Sequence, residues 1–308
     1  MELEIILSEK VNTPLPGQHL LDIAHDDLLS LLSLTKLEED FYQGQSWDLG
    51  FRAVFGGQVM GQALAAAQAT VSNALVAHSF HSYFILPGDA ALPVFYQVER
   101  VRDGRSFSTR RIKAVQKGNI IFDCMCSFQV VETGFEHQAV HMPDVPSPEE
   151  IEPDIMRFAR NPNLISNGMR ENFARHKPIE MRSIPVVADE NGVKPPRRHV
   201  WMRLKDELPK DSSAQFTSLL YASDFYLLST ALQPHGVSPA RKDMRVATVD
   251  HAIWFHRPFQ FNEWLLYTSD SPNAGNARGF IRGQFFNRKG ELVATANQEG
   301  LIRLKPSS

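Results

Sequence analysis

The chain has 308 residues, of which 43% are hydrophobic and 22% charged, the balance of a soluble globular protein. Lys and Arg number 32 against 35 Asp and Glu, a net charge of −3, which leaves no electrostatic footprint for nucleic acid or an anionic membrane surface. No apolar run approaches the ~18 residues of a membrane span, and "MELEIILSEKVNTPLPGQHL" lacks the basic and apolar regions of a secretory leader.

In chain order, "DDLLSLLSLTKLEEDFYQG" (Asp26 to Gly44) combines an acidic start, an apolar stripe and a glycine stop, and predicts a helix. "GGQVMGQALAAAQATV" (Gly56 to Val71) predicts a second helix, rich in small residues and opened by Gly-Gly. Three or four strands follow through Val131, with Asp103-Gly104 and Lys117-Gly118 as hairpin turns. Cys124 and Cys126 fall on one face of a period-two strand and read as inert core thiols. Two cysteines cannot staple a fold of this size, which points to a reducing, cytoplasmic compartment. The C-terminal "RLKPSS" is not a peroxisomal address.

From residue 132 to about 176, prolines at 143, 146, 148, 153 and 162 mark a long connection. One short helix is expected there, near Asp154 to Arg160. "KPIEMRSIPV" and "RHVWMRLK" then predict strands, and "SAQFTSLLYASDFYLLSTALQPHG" a long apolar helix ending at Pro-His-Gly. "VATVDHAIWF", "EWLLYTSDS", "ARGFIRGQFFNRKG" and "ELVATANQEGLIRL" complete a second set of strands.

The order of one helix followed by a meander occurs twice. Pro87 and Pro258, Gly118 and Gly290, and Gln129 and Gln298 each lie about 170 residues apart, at corresponding places. Three offsets agreeing within a few residues imply two copies of one unit. The expected domains are 1–131, an N-terminal helix with the first repeat; 132–176, a proline-rich linker; and 177–308, the second repeat. A helix apolar all round must be buried on all sides, and a curved antiparallel sheet is the element to bury it. The fold class is therefore α+β, two fused repeats that each resemble a hotdog unit; in hotdog proteins two such units pair edge to edge, which implies one continuous sheet here.

Eight segments carry a specific resemblance: "VFGGQVMGQAL", "HSFHSYFILPGD", "RDGRSFSTRR", "SDFYLLSTALQPHG", "TVDHAIWFHRPF", "EWLLY", "ARGF" and "QEG". In this order they resemble the acyl-CoA thioesterase II family, from about residue 40 to the C-terminus apart from the linker. The resemblance implies hydrolysis of fatty acyl-CoA, medium to long chain and broad, to free acid and coenzyme A. It implies a site of Asp224, Thr248 and Gln298 that holds and activates water, with no covalent intermediate. Acyl-CoA substrate and assembly into a homo-oligomer are the expected partnerships. No cofactor and no metal are expected.

The residues support this chemistry on their own terms. Asp224 has Leu220 and Leu228 four positions to either side, which in a helix sets a carboxylate on an apolar stripe. Burial there raises its pKa and suits it to accept a proton. Thr248 and Gln298 add a hydroxyl and an amide on separate strands. Strict alternation along Arg245 to Pro258 places Val246, Thr248 and Asp250 on one face and His251 on the other. His78, His81, His251 and His256 read as hydrogen-bonding residues where the repeats meet, and Asp250 as structural. Backbone N–H groups at the start of a hotdog helix are the expected oxyanion donors, by analogy with the family. Arginines in "RDGRSFSTRR" and "NARGFIRG" could meet coenzyme A phosphates, or be ordinary solvated strand and turn residues.

Other classes lack their marks. No G-x-S-x-G elbow, P-loop or G-x-G-x-x-G after a strand is present. A hotdog enoyl-CoA hydratase would pair an Asp with a His on one motif, which is not seen around Asp224. A non-catalytic acyl-CoA sensor would be expected to replace one of the three polar residues by an apolar one.

Overall fold

The structure is a computed structural model and describes residues 27–160, 172, 176, 178–209, 212–239, 241 and 243–304. The N-terminal stretch read above as lacking a leader lies outside these residues, as do the last four of the chain.

Helix α1 is only Leu28–Leu32, capped by the Asp27 side chain on Leu29 N–H, and a hairpin of β1 (Thr35–Glu38) and β2 (Phe41–Gly44) follows. This corrects the single helix expected to run to Gly44. Asp40 takes positive φ at the hairpin turn, and aromatic Phe41 and Tyr42 pair with Gln97 and Tyr96 of the next sheet strand. The stripe that looked helical is shared between a short helix and a strand pair.

Helix α2 (Gly56–Gln68) precedes strands β3 (Leu75–Phe84), β4 (Val94–Asp103), β5 (Phe107–Gln116) and β6 (Asn119–Val130). Lys117 and Gly118, both at positive φ, make the tight β5–β6 turn expected there. Linker helix α3 is Asp154–Arg160, and β7 (Ile179–Ser183) and β8 (Arg197–Leu204) come next. The expected long helix is broken into α4 (Ser212–Ser223) and α5 (Leu227–Leu232). Strands β9 (Met244–Phe255), β10 (Leu265–Gly275), β11 (Arg278–Asn287) and β12 (Leu292–Leu304) finish the chain.

Among the described residues all twelve strands form one antiparallel sheet, in the order β1-β2-β4-β5-β6-β3-β9-β12-β11-β10-β8-β7. The order reads alike from both edges, and the centre is the pairing of β3 with β9, from Ser79↔Trp254 to Tyr83↔Asp250. Helix α2 packs on the first half of the sheet, α5 on β10, β11 and β12, and α4 lies against α2. Small residues permit that last contact. A Cβ on Gly57 would come 2.2 Å from the Tyr221 carbonyl, so the two helix backbones touch there.

The linker covers the outer face of the second half. Val140, Met142 and Val145 pack with Ile151 on Trp201, Trp264, Leu266 and Phe286. Cys124 and Cys126 are both buried and unpaired, on the inner face as alternation requires.

Candidate active site

Asp224 stands in the break between α4 and α5, not on a continuous apolar stripe. Tyr226, two residues on, has φ 69°, a left-handed conformation that is uncommon for a bulky residue and prevents the helix from continuing. The linker holds it there. The Tyr226 hydroxyl donates to Asp154, a carboxylate 1% exposed that also accepts from Ser183 N–H at 2.8 Å and Ser183 Oγ–H at 2.6 Å. The Arg198 guanidinium stacks over the Tyr226 ring at 5.3 Å.

The break turns Asp224 toward the first repeat. Gly57 N–H, in the first turn of α2, donates to Asp224 Oδ2 at 3.0 Å. Gly56 must lack a side chain, because a Cβ there would lie 2.7 Å from Asp224 Oδ2 and 2.9 Å from Phe84. The N–H groups at the start of a hotdog helix were expected to face a developing oxyanion, yet Gly57 N–H serves the carboxylate.

The other two expected residues meet Asp224. Thr248 Oγ1 donates to Asp224 Oδ1 at 3.4 Å, and Gln298 Nε2 donates to Thr248 Oγ1 at 3.1 Å. Burial pushes the Asp224 carboxyl up to about 6, against the lowering effect of hydrogen bonds from Gly57, Gln298 and Thr248. Asp224 keeps a partly open face while Gln298 is buried.

Behind Gln298 lies a residue that strand alternation placed on the opposite face. Gln298 Oε1 is 2.7 Å from His251 Nδ1, and His251 Nε2 is 2.9 Å from Ser223 Oγ. The cause is a β-bulge. Glu299 pairs with Asp250 but Gly300 pairs with Thr248, so Val249 is an extra residue and the faces switch parity across it. Asp250 closes the bulge, its Oδ1 accepting Glu299 N–H at 2.9 Å. Of the four histidines expected to hydrogen-bond where the repeats meet, His78 bonds Ser127, His256 bonds Thr295 and the His251 carbonyl accepts from Ser82, whereas His81 instead meets the Trp254 ring edge-on at 5.0 Å. His251 additionally joins the Asp224 cluster. The sequence held no local sign of this, because a bulge is not visible in composition.

The same bulge occurs at His78 in β3, between Ala77↔Phe128 and Ser79↔Ser127. Counting from the bulges, Ala77 stands where Thr248 does, Phe80 where His251 does, and Cys126 where Gln298 does. This corrects the match of Gln129 to Gln298 by spacing, since Gln129 lies three residues further along β6, opposite Val76. The first repeat therefore lacks the polar chain, and the pseudo-symmetric fold carries one such cluster. Several basic residues considered for phosphates are engaged within the fold. Arg110, 1% exposed, pairs with Asp103, Arg111 with Asp123, Arg278 with Glu299 and Arg282 with Asp270.

Beside Asp224, Phe225 stacks on Phe55 at 4.5 Å and Tyr221 meets both edge-on. The arrangement is a carboxylate with a raised pKa, a hydroxyl and an amide at the junction of two repeats, bordered by apolar rings.

Comparison with known proteins agrees with this architecture. The family model described as acyl-CoA thioesterase matches residues 169–301, and that of the acyl-CoA thioesterase N-terminal domain matches residues 44–129. Acyl-CoA thioesterase 2 of Haemophilus influenzae is 43% identical, covering 90% of this chain and 97% of that protein. The crystal structure of acyl-CoA thioesterase II from Mycobacterium marinum superposes with TM-score 0.75 at 37% identity, covering 91% of this chain and 99% of that one. A hotdog protein from Alicyclobacillus acidocaldarius superposes with TM-score 0.71 at 20% identity, over 89% of this chain and 97% of the other, a likeness of fold. With a relative this similar along nearly its whole length and both family models falling on its two halves, the chain belongs to the acyl-CoA thioesterase family and has that family's double-hotdog fold.

Proposed function

We propose that the protein hydrolyses medium- to long-chain acyl-CoA to fatty acid and coenzyme A, with Asp224, Thr248 and Gln298 activating water directly. Asp224 takes a proton from water as the water oxygen attacks the thioester carbonyl. The tetrahedral intermediate then expels the coenzyme A thiolate, a good leaving group, which is reprotonated. Thr248 and Gln298 hold the water and the carboxylate in register. The helix dipole at the start of α2 favours the ionised form of Asp224, whose Oδ2 accepts Gly57 N–H. The observation that carries this reading is the Asp224 carboxyl itself, raised to about 6 yet held by Gly57, Thr248 and Gln298. A base of that pKa is ionised at neutral pH and still basic enough to remove a proton. The rings of Phe55, Tyr221 and Phe225 support an apolar acyl group beside it.

The domain division at residues 131 and 176 belongs to the same proposal, the two repeats forming one working unit. So do a cytoplasmic location, supported by the two free thiols, and a homo-oligomer, supported by Tyr83 and Met125 exposed on the outer sheet face. A hydratase would place an imidazole with the carboxylate at the reacting carbon, but Gln298 stands between His251 and Thr248.

Single-turnover hydrolysis of a panel of acyl-CoAs, followed by free thiol, tests the proposal. Asp224→Asn should lose about 10²–10⁴ in kcat, and Thr248→Val and Gln298→Ala should lose kcat without adding to it. Near-normal turnover of Asp224→Asn would sink the assignment.

A further inference from the structure

Beyond Asp224, Thr248 and Gln298, a second tier of buried polar groups continues the same hydrogen-bond chain into the core. Ser223 and His251 are 0% exposed, and neither faces the open side of Asp224. Their distances of 2.9 Å and 2.7 Å join Ser223 Oγ through the imidazole to the Gln298 amide oxygen. We infer that His251, held by Ser223, is a positioning residue that fixes which way the Gln298 amide points; this rests on the hydrolase reading above.

Donors and acceptors along this chain are fixed one by one. Thr248 has one proton, and a carboxylate at Oδ1 needs it. Its oxygen must then accept from Gln298, so the Gln298 NH₂ faces Thr248 and the amide oxygen faces inward. A buried amide oxygen needs a donor, and the group 2.7 Å away is His251 Nδ1. The imidazole therefore carries its proton on Nδ1, leaving a lone pair on Nε2. Ser223 lies within reach of that lone pair and of the Leu220 carbonyl at 2.8 Å. Its single proton, directed to that carbonyl, is shared with His251 Nε2, so Ser223 supports the Nδ1-protonated tautomer that the Gln298 amide oxygen requires.

The protons of His251, Gln298 and Thr248 all point toward Asp224. Were the amide flipped, Thr248 would donate to the amide oxygen and Asp224 Oδ1 would lose its hydroxyl. Burial holds the imidazole down at about 4, so it stays neutral and the pattern is not disturbed near neutral pH. The first repeat supplies a comparison within the molecule. At the place of His251 it has Phe80, fully buried and paired with Cys126, where no amide needs orienting. A ring without nitrogen is thus accepted by the fold at this strand position.

The test uses the full chain. Nitrogen NMR of histidine-labelled protein should show His251 with a protonated Nδ1 and an unprotonated Nε2 at neutral pH; the opposite tautomer would overturn the inference. His251→Phe should lower kcat for decanoyl-CoA by about 10–100-fold with KM changed less than about threefold. His251→Asn, which keeps an N–H near the place of Nδ1, should recover most of that loss. His251→Phe/Gln298→Ala should be no slower than Gln298→Ala. Turnover of His251→Phe within about twofold of wild type, or losses that multiply in the double variant, would refute the role. If His251→Phe fails to fold, Ser223→Ala decides: it should weaken the Nδ1-protonated tautomer and slow kcat severalfold, and no change in either would count against the inference. Should Asp224→Asn and Gln298→Ala themselves turn over normally, the hydrolase assignment fails, while the tautomer still reports on the chain independently.

Discussion

A carboxyl that titrates near 6 leaves its mark on both rate and stability. Hydrolysis needs the ionised form of Asp224, so kcat/KM should fall about tenfold per pH unit below about 6. Asp224→Asn should show a low, flat profile over the same range. For stability the sign is opposite to that of a salt-bridged Asp. The folded value lies above the ordinary 3.8, so the protonated group stabilises the fold, fully below about pH 4, and this contribution is lost as pH rises through about 6. Asp224→Asn, neutral throughout, should be more stable than wild type at pH 8 by on the order of 2 kcal/mol. The difference should vanish near pH 4, and equal melting temperatures at pH 8 would contradict the raised Asp224 carboxyl. Asp224, Thr248 and Gln298 were legible in the sequence because three polar residues stood in the resembling segments. Ser223 and Gly57 were not singled out, since a serine and a backbone N–H carry no signature outside a folded context.

At the scale of elements, two irregularities assemble the site: the break between α4 and α5, and the bulge at Val249. Asp250 maintains the bulge, so Asp250→Ala should leave Glu299 N–H without its partner and cost about 1–2 kcal/mol of stability. Turnover should stay within a few-fold of wild type, and a hundredfold loss would move the chemistry to the wrong side of β9. The helix break depends on Tyr226 and its bond to buried Asp154. Tyr226→Phe should lower stability by about 1–3 kcal/mol, seen in thermal unfolding, and an unchanged midpoint would show that other contacts hold the break. Both irregularities were hidden from periodicity. Leu220, Asp224 and Leu228 fit a helical stripe, but left-handed Tyr226 ends it. Thr248 and His251 have opposite parity, but one extra residue puts both on Gln298.

For the whole molecule, Asp224 and the Gly57 N–H that holds it lie 167 positions apart in sequence, one in each repeat. Residues 177–308 expressed alone would keep Thr248 and Gln298 yet lose Gly57, and would expose β9 where it pairs with β3. Aggregation or inactivity is the expected outcome; a soluble, monomeric and fully active half would overturn the single-unit reading. The doubled order of elements, the apolar helices and the turn at Lys117-Gly118 were determined by the sequence itself. They depend on local φ preferences and on burial of one face, which neighbours in the chain dictate. The tertiary structure alone decided that α4 and α5 separate, that the linker clasps Tyr226 and that His251 stands behind Gln298. These features come from contacts between distant segments, where a buried donor must find an acceptor wherever the fold has placed one.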